Sequence, residues 1–216
     1  TSPPLWSYSR VSEISHIWRF ELVGSVVHHI SEYFVNPDEI SHLLLIGPRG
    51  SAKNIVINGI VKKLKSNDDT LVIRIIENGS VIISYPDFCK QMIDSVMKEY
   101  PDKAGFLSKD FQDIHEIKQE LIPEKVLEAL LSFAGGRKVA LLIENIDNII
   151  ETLKNFADKY RWNFCELIND KRIFICATAS TDIPEIEDDG QWSNKFFNIE
   201  YLKPLSFGHS FELLFN

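Results

Sequence analysis

The sequence predicts an α/β fold in which a parallel sheet lies between two layers of helix. Two observations predict it. The apolar runs "HLLLIG", "TLVIRII", "KVALLIEN" and "RIFICATAS" are continuous rather than alternating, as in strands buried on both faces. Amphipathic stretches separate them, and strand–helix alternation yields parallel strands joined by crossover helices.

Each element has its own signal. Val11–Phe34 places Ile14, Ile17, Trp18, Leu22, Val26, Ile30 and Phe34 at helical spacing, which predicts a leading helix that covers something. "NPDEIS" breaks it, and the strand "HLLLIG" follows. "SAKNIVINGIVKKLK" reads as a helix with Ile55, Ile57, Ile60, Val61 and Leu64 inward and lysines late. Thr70–Ile76 is the next strand. Pro86 and Asp87 open a helix running to Tyr100. The polar stretch from Pro101 to Pro123 reads as an insertion or mobile excursion. Glu124–Ala134 is a helix stopped by Gly135 and Gly136. After "KVALLIEN", residues 149–169 read as one helix, then Arg172–Ser180 as a strand. Phe196–Leu202 is a further strand, and "SFGHSFELLF" starts another helix.

Composition narrows the class. The 216 residues suffice for one medium domain with a real core, or one domain plus an appendage. A formal charge of -8 speaks against a sequence-blind DNA binder, so no DNA partner is indicated by charge. Cys89, Cys165 and Cys176 are scattered and odd in number, which fits small buried hydrophobes in a reducing, cytoplasmic compartment. No apolar run is long enough to span a bilayer. His16, His28 and His29 lack a completing carboxylate or cysteine and read as solvated or capping residues. The absence of an initial methionine and an apolar pattern at Asn216 suggest a piece of a longer chain.

"LLLIGPRGSAKN" carries the chemistry. Backbone N–H groups between a strand and a helix N-terminus form an anion site, and a lysine there neutralises phosphate. Against the phosphate-loop pattern G-x-x-x-x-G-K-[ST], Gly47 and Lys53 fit, with Pro48, Arg49, Gly50 and Ser51 between. Ala52 replaces the second glycine and adds a methyl where phosphate approaches. Asn54 replaces the hydroxyl that ligates Mg²⁺, and its amide is a weaker metal ligand.

"ALLIENID" is the second element. Four apolar residues followed by Asp-Glu form the usual strand facing metal and water. Here Glu144 takes the metal-side place and Asn145 the water-activating one; Asn145 cannot serve as a base, and Asp147 is the alternative. In "FICATAS", Thr178 or Ser180 emerges at a third strand end, where a polar side chain can touch phosphate or water. The three tips come in the order expected of one sheet and should converge.

With "FFNIEYLKPLS", these blocks resemble the ATPase core of AAA+/STAND-type P-loop proteins, and bacterial and archaeal predicted ATPases in particular. The likeness runs from Ser41 to Phe215. It implies a three-layer, ASCE-type P-loop NTPase fold with five parallel strands, one of them between the phosphate-loop strand and the Glu144 strand. It also implies that Lys53 contacts phosphate, that Glu144 sits near Mg²⁺, and that Thr178 is the polar sensor. Leu202–Leu214 is similar to the link into a small helical lid. An arginine finger has no match, since "PEIEDDGQWSNKFF" offers only Lys195. Origin-recognition-type ATPases share "GPRGS" but resemble the later blocks less.

The expected organisation is a helical segment (1–40), a P-loop core (41–204) and the start of a C-terminal helix (205–216). The expected function is an ATP- or ADP-binding switch or scaffold with little or no hydrolysis. In it the loop from Gly47 to Asn54 binds nucleotide, and Asn54 and Glu144 hold any Mg²⁺. Glu144, Asn145, Asp147 and Thr178 form the reacting edge. Further domains or a protein partner would read its state. The alternatives are a pseudo-ATPase interaction module that no longer binds nucleotide and an origin-recognition-like ATPase subunit.

Overall fold

The computed structural model describes residues 21–76, 82, 84–102, 118, 121–154, 158–183 and 196–204, with the backbone alone for 152–154 and 158–163. The expected segments 103–117 and 205–216, the first half of the leading helix, and Lys195 lie outside the described residues. The chain runs α1 (21–33), β1 (His42–Ile46), α2 (Lys53–Lys65), β2 (Thr70–Ile75), α3 (Tyr85–Glu99) and α4 (Ile122–Ala134). It continues with β3 (Lys138–Ile143), α5 (Ile146–Lys154), α6 (Asp158–Asn169), β4 (Ile173–Ala179) and β5 (Phe197–Tyr201).

The five strands form one parallel sheet in the order β2-β3-β4-β1-β5. β4 lies between the strand that feeds the glycine loop and the strand that ends at Glu144. Successive side chains of a strand face opposite sides, and the core divides accordingly. Leu43, Leu45, Val72, Ala140, Leu142, Phe174 and Cys176 pack with α1 and α2. Leu44, Ile46, Ile73, Leu141, Ile143 and Ile175 pack with α3 to α6. Continuous apolar strands therefore serve two cores at once.

α1 is fastened by aromatic contacts, with Tyr33 5.0 Å and His29 5.7 Å from the Phe174 ring. Buried His42 joins this group. Its Nε2 donates to Ile168 O at 2.7 Å, and its Nδ1 accepts from Ile175 N at 3.1 Å. Burial drives its pKa down to about 4. Both bonds fix the neutral ring and tie the start of β1 to α6 and β4.

Two details differ from the sequence reading. Ile55 is exposed at 41% and Val61 is only partly buried, whereas Val56 is fully buried. Because α2 starts at Lys53, its inward stripe is Lys53, Val56, Ile57, Ile60 and Leu64. The predicted 149–169 helix is described as α5 and α6, with residues 155–157 between them outside the described residues. Finally, Cys89 and Cys176 are buried, but Cys165 is only partly so.

Candidate functional site

The loop after β1 is shaped by its backbone. At Gly47 a Cβ would lie 2.6 Å from Ser51 Oγ and 2.8 Å from Leu202 O, so only glycine fits. Leu202 N in turn donates to Ile46 O at 2.6 Å, which closes β5 against the loop. Gly50 has φ +83°, open space around it, and no side-chain penalty. Ala52 holds φ 61° and ψ 31°, the left-handed region that glycine normally occupies. Its methyl caps nothing, and the first turn of α2 carries no acid, while Lys62, Lys63 and Lys65 lie in the last turn. The positive end of α2 therefore faces the loop with no acid in its own first turn.

Lys53 is buried at 8%. Its Nζ donates to Gly47 O and, at 3.3 Å, to Pro48 O. Burial lowers its pKa, Asp147 opposes that shift, and Arg49 adds to it. The ammonium is thus held inside the curve of the loop.

A cleft of about 520 Å³ opens beside it. The stretch from Pro48 to Asn54 forms one wall; Asn145, Asp147, Asn148 and Ser180 form the other. These residues follow the carboxyl ends of β1, β3 and β4, where ligands of parallel α/β sheets bind. The three sequence-selected tips do converge. Asn145 turns the chain into α5 with φ 53°, which an asparagine tolerates better than most residues. Asp147 lies in the first turn of α5. Its Oδ2 accepts from Ser180 N at 3.1 Å, and its buried Oδ1 has no hydrogen-bond partner among the described residues.

Three selected residues stand behind the cleft wall rather than in it. Gly47 is covered by Leu202. Thr178 is 1% exposed, and its Oγ1 accepts from Asn145 N at 3.1 Å, so it fixes the β3–α5 turn. Glu144 is 7% exposed and paired with Arg74, whose Nε and Nη2 both reach Oε1, at 2.8 and 2.6 Å. Arg74 is itself held by Asn58 Oδ1 at 2.8 Å, and Ser95 Oγ bonds its backbone N–H and C=O. Sequence reasoning missed Arg74, although a lone arginine inside "TLVIRII" was a visible signal. It also missed Asn148, which had none. Among the described residues, no three His, Cys, Asp or Glu side chains gather to hold a metal. No helix among them is long and apolar enough to cross a membrane.

No family model and no curated protein sequence match the chain. Solved structures do. Cdc6p from Pyrobaculum aerophilum superimposes with a TM-score of 0.59 at 13% identity, covering 91% of this chain and 48% of its own. The Aeropyrum pernix ORC2 protein, solved as ADPNP–ADP complexes, gives 0.61 at 11% identity, covering 89% and 49%. The Aeropyrum pernix ORC1 protein, solved with DNA, gives 0.55 at 11%, covering 88% and 45%. The chain spans about half the length of these proteins. At such identities the likeness speaks for the fold alone: a five-stranded parallel α/β fold like that of these Cdc6 and ORC proteins.

Proposed function

We propose that this chain binds ATP or ADP through its phosphates and acts as a nucleotide-responsive switch or scaffold of AAA+/STAND type, with little or no hydrolysis. One observation carries the reading: the uncapped N-terminus of α2 and the Lys53 ammonium meet at a glycine-shaped loop that walls an open cleft. Phosphate oxygens would replace the Gly47 and Pro48 carbonyls as partners of Lys53. Backbone N–H groups from Gly50 to Asn54 would take the remaining charge. The nucleotide supplies the polyphosphate and the base; the chain supplies fixed positive charge and a lining of amides and a carboxylate.

Turnover needs a polarised water and charge stabilisation at the leaving group. Asn145 cannot take a proton, and Glu144 is occupied by Arg74. These features support binding over catalysis. The test is thermal shift with ATP and ADP. A ligand at one hundred times its Kd stabilises by about 2.7 kcal/mol. The unmodified chain should shift, and Lys53→Ala should melt normally but ignore nucleotide. A chain that shows no shift at millimolar nucleotide supports the pseudo-ATPase scaffold instead.

A second reading, an origin-recognition-like subunit, rests on the fold likeness to Cdc6 and ORC proteins. With a formal charge of -8, we expect such a subunit to act through protein contacts. Anisotropy with a fluorescent duplex tests this: tight binding at physiological salt would assign DNA to the chain itself.

A further inference from the structure

We propose that the cleft takes its nucleotide without a divalent cation, because Arg74 already occupies the carboxylate that would anchor one. The inference rests on the nucleotide reading above and adds a property of the same site.

Mg²⁺ demands a near-octahedral oxygen shell. It is normally held by one or two carboxylates, a hydroxyl and the phosphates. This chain offers each protein ligand in a form that does not fit. The hydroxyl position is Asn54, exposed on the first turn of α2. The carboxylate at the end of β3 is Glu144, which does not line the cleft. Its Oε1 receives two N–H bonds from one guanidinium, a charge-assisted arrangement roughly twice as strong as neutral bonds. A cation at that oxygen would have to displace Arg74, which is buttressed by Asn58 and Ser95. It would also strand a guanidinium whose side chain is only 19% exposed. Breaking one partner out of a buried pair is strongly unfavourable.

The positive charge that a metal brings is already built in. Among the described residues that line the cleft, Arg49, Lys53 and the N-terminus of α2 face it against the single acid Asp147. Free nucleotide, with its full phosphate charge, suits this field. Asp147 is a second carboxylate at the cleft, and its buried Oδ1 is unpartnered among the described residues. It therefore enters the test.

Isothermal titration of ATP and of ADP into the chain, in excess Mg²⁺ and in EDTA at matched ionic strength, decides the question. The expected Kd in EDTA lies within about threefold of that in Mg²⁺ or is tighter, a difference of well under one tenfold step. Glu144→Gln should leave both values in place. Binding that is tenfold or more tighter in Mg²⁺ overturns the inference. If Glu144→Gln abolishes that gain, Arg74 yields its partner to metal; if Asp147→Asn abolishes it, Asp147 holds the ion. Binding in neither buffer overturns the nucleotide reading, and this inference with it.

Discussion

Ala52→Gly should make the unliganded chain more stable. Ala52 sits at φ 61°, ψ 31° with no side-chain hydrogen bond in return. The left-handed conformation costs an L-residue about 1–2 kcal/mol. Glycine avoids that cost but loses about 0.5–1 kcal/mol more backbone freedom on folding than alanine. The net expectation is a gain of about 0.5–1 kcal/mol, and thus a rise of about 1–4 °C in Tm for a chain of this size. Gly50→Ala is the reciprocal experiment. At φ +83° and with nothing within 4 Å of an added Cβ, any loss reports backbone strain and not a clash. It should fall by about 1 kcal/mol, since alanine at positive φ costs more than the entropy it saves. Urea unfolding of the three proteins at unchanged m-value measures both. An Ala52→Gly midpoint at or below that of the unmodified chain would refute the assignment of strain to this loop.

Other outcomes follow from the core. Lowering pH should destabilise the fold through His42, whose pKa falls from 6.5 in an open chain to about 4 when buried. The folded ring is neutral, so this stability is complete above pH 6.5. It is lost as pH drops towards 4, by about 3 kcal/mol, and His42→Gln should flatten that part of the urea midpoint–pH curve. Leu141→Asp should abolish soluble expression, because Leu141 is 1% exposed in the interior strand β3 and an unpaired buried charge costs several kcal/mol. Phe174→Ala should cost about 3–5 kcal/mol in the same assay, since that fully buried ring joins α1 to the sheet.

The strands were legible because burial on both faces leaves a direct trace: Leu44, Leu141 and Phe174 sit in uninterrupted apolar runs and are all buried. Strand order left no such trace. Nothing in the periodicity places β4 between β1 and β3; that expectation came from resemblance, and the structure has it. Helix phase failed at Ile55 because the starting residue of α2 decides which stripe faces inward, and the lysine that opens the helix belongs to the buried stripe. In the site, residues that line the cleft by backbone geometry were readable from the loop pattern. Glu144 was readable as an acid but not as a paired one. Its partner lies on a strand seventy residues away, and such pairing depends on the neighbour relation of β2 and β3 rather than on any local signal.

The strand that feeds the glycine loop has no partner close in sequence. Leu43 pairs with Cys176 on one side and Asn198 on the other. Closing loops of that length costs entropy before any ladder bond rewards it. During synthesis β1 and its glycine loop emerge well before β4 and β5 and wait without their sheet partners until those strands have followed. The cleft is then among the last features to assemble. The proposed nucleotide would not nucleate such folding; it would trap its completion. The expected outcome is slow refolding, with the proposed nucleotide binding regained in the final kinetic phase.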